Sequence, residues 1–154
     1  MKVETQTRPS SFSARSLAQT NDIGRKIAQQ LVFPSCVYLH GAMGAGKTTL
    51  TKSIIQAFGY SGAVTSPTYN LLQEYPVDLG IIYHMDLYRL EDPSEIEFLA
   101  LEDMWSERSL FLIEWPERAA GCLQDADCEI FITKAADKSQ DIRDISLSFL
   151  SWFS

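Results

Sequence analysis

A glycine-rich stretch between residues 41 and 48 carries the clearest chemical signal in the sequence. It reads Gly41-Ala-Met-Gly-Ala-Gly46-Lys47-Thr48 and matches the pattern G-x-x-x-x-G-K-[ST] in full. In such a loop, backbone N–H groups surround a nucleotide phosphate, the lysine contacts the β- and γ-phosphates, and the hydroxyl binds Mg²⁺. The sequence therefore predicts a nucleoside triphosphate site, with contacts from Gly41, Met43, Gly44, Ala45, Gly46, Lys47, Thr48 and Thr49.

Two acidic residues end apolar stretches further along the chain. The segment 109–113 reads as a buried strand that ends at Glu114, and a second strand ends at Asp86. P-loop proteins place a carboxylate at the end of a neighbouring strand, where it holds Mg²⁺ directly or through water. Either carboxylate alone could simply be an exposed residue at the end of a strand, but the two together predict at least one contact to the metal. With Lys47, Asp86 and Glu114 are the predicted catalytic residues. His84 is equally compatible with a structural and a functional role.

A hydroxyl-rich segment lies between the loop helix and the next strand, and consists of Thr65, Ser66, Pro67 and Thr68. In nucleotide switches this region senses the γ-phosphate. An ordinary Ser-Pro turn is the alternative, and the spacing alone does not separate the two.

The class of P-loop protein follows from what the sequence lacks. No Asp is followed by Gly at i+3, and Thr133-Lys134-Ala-Ala-Asp137 is one residue too long for the guanine-binding pattern N/T-K-x-D. ATP is therefore the expected nucleotide. A small-molecule kinase is one alternative, since Arg89, Arg108 and Arg118 could clamp phosphates, although no arginine-rich lid follows Lys47. A third possible function is a binding switch that responds to the nucleotide but has negligible turnover.

The elements that must position these residues alternate between helix and strand. Ser16 to Gln19 forms a capping box before a helix that Pro34 stops, and the loop lysine opens a second helix that ends near Gly59. Short apolar or alternating runs predict strands at 36–40, 109–115, 128–135 and 141–150, with an antiparallel hairpin around Pro76–Gly80 and a short helix capped by Asp92. We expect an α/β fold of the P-loop NTPase type, a three-layer sandwich whose mixed sheet has a central parallel pair and antiparallel additions.

Length and charge limit the remaining possibilities. The 154 residues predict a single domain, 1–154, in which residues 1–12 are loosely built. The net charge of −7 argues against tight, independent binding of nucleic acid. Three cysteines without CxxC spacing favour reduced thiols in the cytoplasm, and neither a secretory signal nor a membrane span is expected.

Five motifs in this order resemble one family. They read GAMGAGKTT, TSPTYNL, YHMDLYRL, EIEFLALED and FLIEWPER. Together they are similar to the TsaE (formerly YjeE) ATPases, bacterial proteins needed to form N6-threonylcarbamoyladenosine in tRNAs. The resemblance runs from about Ser16 to Phe149, nearly the whole chain.

The resemblance implies roles that the spacing alone does not. ATP with Mg²⁺ would be bound, with Thr48 and Glu114 on the metal and Asp86 beside them. Trp115 would lie near the nucleotide, Thr20 would approach the adenine or ribose, and Arg143 would be a late site arginine. The expected partners are the TsaB and TsaD proteins, whose complex ATP hydrolysis would reset, with tRNA bound mainly through that complex.

Overall fold

The computed structural model describes residues 3–6, 10–67, 70–136 and 141–153, with the backbone alone described for 3–6 and 151–153. The strands are β1 Val3–Gln6, β2 Ser10–Ala14, β3 Ser35–His40, β4 Leu72–Val77, β5 Gly80–Asp86, β6 Ser109–Glu114, β7 Cys128–Lys134 and β8 Arg143–Phe153. The helices are α1 Leu17–Gln30, α2 Lys47–Ala57 and α3 Leu101–Met104, with 3₁₀ helices at Pro93–Leu99 and Pro116–Ala119.

The strands form one mixed sheet in the order β1-β8-β7-β3-β6-β5-β4, and β2 also pairs with β8. Strands β7, β3, β6 and β5 are parallel to one another, whereas β4, β8, β1 and β2 join antiparallel. The predicted mixed α/β sheet with antiparallel additions is confirmed. Its parallel core has four strands where a pair was expected, because β7 pairs with β3 and β5 pairs with β6, both in parallel.

The predicted hairpin is confirmed as β4 and β5, but its turn is tighter than expected. Pro76 pairs with Ile81 and Val77 with Gly80, so only Asp78 and Leu79 form the turn. The sequence did not predict that β5 also pairs with a second strand, β6, on its other side. The chain leaves β5, passes through a 3₁₀ helix and α3, and returns as β6 parallel to β5.

Helix α1 begins as predicted, with the Ser16 hydroxyl accepting from the Gln19 N–H at 3.2 Å. The Gln19 side chain, however, accepts from the Arg15 N–H and not from that of Ser16. The buried face of α1 packs against α2, and Gly24 permits the approach, since a Cβ there would lie 2.4 Å from the Ser53 Cβ. A side chain at Gly24 would force the two helices apart.

The N-terminal segment differs from the loose region expected for residues 1–12. β1 pairs with the end of β8, and β2 pairs with its beginning, from Ser10↔Leu147 to Ala14↔Arg143. Ala14 is buried, and Phe12 packs against the core from partial exposure. Long-range pairing with β8 therefore orders a segment whose composition is typical of a loop.

Two apolar clusters cover the two faces of the sheet and give three layers. One joins α1 and α2 to the sheet through residues such as Ile27, Leu50, Ile54 and Ile82. The other, around Met85 and Phe111, lies under the 3₁₀ helices and α3. The first 3₁₀ helix carries the capping box predicted at Asp92. Among the described residues, no helix is long and apolar enough to cross a membrane.

Candidate functional site

The glycine loop leaves the end of β3 and enters α2, at the edge of the sheet where the parallel strands end. Gly46, the N-cap of α2, has φ 108°, a left-handed conformation that favours glycine. Gly41 needs its small size instead, since a Cβ there would lie 2.7 Å from the carbonyl oxygen of Ile132. Loop residues and the first residues of α2 line one cavity, and a helix N-terminus of this kind can bind an anion.

Lys47 lies almost fully buried beneath this loop. Its ammonium donates to the carbonyl oxygens of Gly41 and, at 3.1 Å, Ala42. It also lies 4.2 Å from the ring centroid of Trp115. Burial lowers the pKa of Lys47, while the nearby carboxylates, Glu114 foremost, raise it. The loop thus holds its cation among polar and aromatic groups beside the acidic residues.

Glu114 links three elements through one buried carboxylate. Its Oε1 accepts from the Thr48 hydroxyl at 3.0 Å, and its Oε2 lies 2.5 Å from His84 Nε2. Both His84 and Glu114 are at most 1% exposed. Strand register brings Asp86 directly opposite Glu114, so the two predicted acids are neighbours on adjacent parallel strands.

Asp86 is half-buried and faces the same space. Its Oδ1 accepts from the Tyr88 N–H at 3.1 Å. Burial raises the pKa of Asp86, and Glu114 adds to that, whereas the Tyr88 N–H, His84 and Lys47 act in the opposite direction. A carboxyl whose pKa is raised holds a proton more readily than an exposed aspartate does.

The oxygen atoms at this edge fit Mg²⁺. Adjacent ligands of an octahedral Mg²⁺ lie about 3 Å apart, since each bond is about 2.1 Å long. The Thr48 hydroxyl and Glu114 Oε1 are separated by 3.0 Å. No group of three or more His, Cys, Asp or Glu side chains among the described residues could hold a metal by itself. A Mg²⁺ here would therefore depend on nucleotide phosphates and water for its other ligands.

Two adjoining cavities extend from the loop. One is lined by Met43, Gly44, Gly46, Lys47, Thr48, Thr49, Asp86, Tyr88, Glu114, Trp115 and Arg143. The other shares Gly46, Thr49 and Arg143 with it and continues to Ala45, Ser16 and Thr20. The structure therefore brings together Thr20, the loop, both acids, Trp115 and Arg143, although their nucleotide and metal contacts stay predictions.

Arg143 connects the two cavities. From the start of β8, its Nε donates to the carbonyl oxygen of Ala45 at 2.8 Å, and its Nη1 pairs with Asp141. The guanidinium therefore holds the backbone of the glycine loop at Ala45.

Trp115 adopts a left-handed conformation, with φ 57° and ψ 49°. Such a conformation costs a non-glycine residue about 1–3 kcal/mol, and residues of this kind concentrate at ligand sites. Its ring lies 5.1 Å from that of Tyr88, and the Arg118 guanidinium lies 5.4 Å and 5.9 Å from the Tyr88 and Trp115 ring centroids. No role was predicted for Tyr88 from the sequence, although it lies in the motif YHMDLYRL, two residues after Asp86.

The hydroxyl-rich segment reaches the site through Ser66, whose hydroxyl lies 3.4 Å from the Thr48 hydroxyl. Thr65 is held by both its N–H and its carbonyl, which contact the Tyr75 hydroxyl at 3.2 Å and 3.0 Å. Pro67 is buried, and Thr68 lies outside the described residues. A switch role for this segment stays a prediction.

Arg108 is placed away from the phosphate space. Its side chain donates to the carbonyl oxygens of Asp78 and Leu79, in the hairpin turn before β5. This turn is at the opposite end of β5 from Asp86. Arg108 therefore cannot serve as the phosphate clamp that a kinase would need.

The chain is similar to known proteins over most of its length. The sequence profile described as "Threonylcarbamoyl adenosine biosynthesis protein TsaE" matches residues 14–143. The Haemophilus influenzae tRNA threonylcarbamoyladenosine biosynthesis protein TsaE is 48% identical over 111 residues, which are 72% of this chain and 68% of that protein. The Synechocystis protein of the same name is 37% identical over 70% of each chain.

A solved structure agrees with the sequence relationship. A crystal structure of Bacillus subtilis YdiB superposes with a TM-score of 0.73 at 25% identity, covering 94% of this chain and 87% of that one. The fold and the sequence thus lead to the same assignment. The chain belongs to the TsaE family of threonylcarbamoyl adenosine biosynthesis proteins.

Proposed function

We propose that the chain binds ATP with Mg²⁺ at this site and hydrolyses it in support of threonylcarbamoyladenosine formation in tRNA. One observation carries the proposal: Lys47, Thr48, Glu114 and Asp86 line the same cavity, where the parallel strands β5 and β6 end. The ordinary P-loop arrangement consists of a loop lysine, a metal-binding hydroxyl and an acid at the end of a neighbouring strand.

Each residue would perform one part of the reaction. The loop N–H groups and Lys47 bind the phosphates, and Thr48 and Glu114 hold Mg²⁺, which neutralises charge on the phosphate oxygens when bound. Asp86, beside them, orients the attacking water and accepts its proton. Water oxygen bonds to the γ-phosphorus as the bond to the bridging oxygen breaks, which yields ADP and phosphate.

The partners we propose are the TsaB and TsaD proteins, in the cytoplasm, with hydrolysis resetting their complex between turnovers. Support comes from the family and from charge: the chain carries 20 acidic and 13 basic residues, which disfavours an independent grip on tRNA. Positioned charges supplied by a partner can accelerate phosphoryl transfer by about 10³-fold or more. Hydrolysis by the chain alone is therefore expected to be slow.

The test is product analysis with γ-labelled ATP, for the chain alone and with TsaB and TsaD. We expect label only in free phosphate, and a higher rate with both partners present. Lys47→Ala serves as the control for contaminating ATPases. Label transferred to a small metabolite would contradict hydrolysis and favour a kinase, and an unchanged rate with the partners would contradict the partner assignment.

A further inference from the structure

His84 is the buried polar side chain that the proposed chemistry leaves without a task. The residue is fully buried in β5, and its Nε2 lies 2.5 Å from Glu114 Oε2. Its other ring nitrogen, Nδ1, is buried and has no hydrogen-bond partner among the described residues. Every polar contact the structure gives this ring is therefore directed at Glu114.

The strand geometry explains why the contact forms. Alternation along β5 places His84 on the same face as Ile82 and Asp86, toward α2. Across the sheet, His84 is paired with Leu112, two residues before Glu114 on β6. His84 thus lies diagonal to Glu114 on the neighbouring strand, and it contacts Oε2, the carboxylate oxygen for which no Thr48 contact is seen.

The unpartnered Nδ1 selects one form of the ring. An Nδ1–H tautomer would leave an N–H donor buried without an acceptor among the described residues. The Nε2–H tautomer has no such donor at Nδ1, and its Nε2–H donates to the carboxylate. The buried surroundings therefore favour an Nε2–H···Oε2 hydrogen bond.

We propose that His84 is a positioning residue that fixes Glu114 for metal binding. By holding Oε2, it leaves Oε1 as the one carboxylate oxygen facing Thr48 and the metal space. Thr48 contacts the other oxygen, Oε1, so the two contacts together hold the orientation of the carboxylate. This inference rests on the proposed Mg²⁺–ATP function and assigns a role to a residue that contacts neither nucleotide nor metal.

The first test measures nucleotide affinity across a range of Mg²⁺ concentrations for His84→Leu and His84→Gln. Losing a partner of a metal-binding carboxylate weakens metal affinity about 10- to 100-fold. We expect His84→Leu to raise the Mg²⁺ concentration for half-maximal binding by that factor and to leave affinity in EDTA unchanged. His84→Gln should restore most of the loss, because its amide N–H can replace Nε2–H.

Ile82→Val is the matched control, since it loosens the same face of β5 without touching Glu114. An equal shift in this control, or an unshifted Mg²⁺ dependence in His84→Leu, would overturn the positioning role alone. Absence of any Mg²⁺ dependence in the wild type would instead overturn the proposed function.

A second test needs no substitution at His84. Nitrogen-15 NMR of the nucleotide-free protein reports which ring nitrogen carries the proton, and His40→Gln assigns the signals because the chain has two histidines. We expect the proton of the hydrogen bond on Nε2 of His84. An Nε2 that carries no proton would overturn the inference, and this result decides the matter if His84→Leu fails to fold.

Discussion

Glu114→Ala removes the group that ties β6 to the glycine loop and to β5. The carboxylate is 1% exposed, and its loss leaves the fully buried His84 ring without a hydrogen-bond partner among the described residues. An unsatisfied buried polar group costs about 1–3 kcal/mol, and a hydrogen bond to a charged group contributes about 1.5–3 kcal/mol. Thr48 loses less, because it is partly exposed and its hydroxyl can turn to water.

We therefore expect Glu114→Ala to lower the free energy of unfolding by about 1–3 kcal/mol, or roughly 2–12 °C in Tm. Glu114→Gln should lose less, because the amide oxygen still accepts from Thr48 and the amide N–H can donate to His84 Nε2, although the ring then carries its proton on the unpartnered Nδ1. Urea unfolding of the nucleotide-free proteins measures both effects. Nucleotide titration should show weakened Mg²⁺-dependent binding in Glu114→Ala. Wild-type stability in Glu114→Ala would refute the account of this buried contact.

Three further predictions concern the same site. Lys47→Ala should weaken ATP binding about 10- to 100-fold, as expected for lost charge-assisted hydrogen bonds, and titration by calorimetry would show unchanged affinity if the loop assignment is wrong. Asp86→Asn should keep nucleotide affinity but reduce hydrolysis. The same substitution should raise the stability of the nucleotide-free protein at pH 7. The pKa of Asp86 is raised in the folded wild type, so the wild type loses stability as the pH rises through that pKa, whereas Asn cannot ionise. Thermal melts should show this gain vanishing below pH 3.8, the ordinary aspartate value. In a Trp105→Phe, Trp152→Phe variant, the fluorescence of Trp115 should change when ATP saturates the site, because Lys47 would move from the Trp115 ring to the phosphates. Constant emission would contradict the placement of Trp115.

The glycine loop and its flanking elements could be predicted because their constraints are local. Gly46 must adopt positive φ, and Lys47 and Thr48 must follow it directly. Apolar strands ending in Glu114 and Asp86 were also visible as short runs of residues. Such patterns describe where a strand ends, but they do not give its neighbour in the sheet.

The pairing of β5 with β6 was missed for this reason. The crossover between them consists of the 3₁₀ helix Pro93–Leu99 and the four-residue α3, which lack the 3.6-residue periodicity of a longer helix. The direct neighbourhood of Asp86 and Glu114 depends on that pairing. The role of His84 could not be predicted either, since it arises from a diagonal contact across two strands.

The N-terminal strands were missed because their stabilisation comes from β8, more than 100 residues later in the chain. Ser10-Ser-Phe-Ser-Ala14 has few strong strand formers, so its composition favours a loop. Pairing with an exposed edge can order such a segment, and composition does not record that pairing.

Multiple-turnover threonylcarbamoylation of tRNA by TsaB and TsaD tests the central claim most directly. The reaction would be run with wild-type chain, with Asp86→Asn, or with no added chain. Because Asp86→Asn is expected to bind ATP normally but to hydrolyse it much more slowly, we predict many cycles with the wild type and a stall near one cycle with the variant. Equal multiple turnover in all three reactions would contradict the claim that hydrolysis at this site resets the complex.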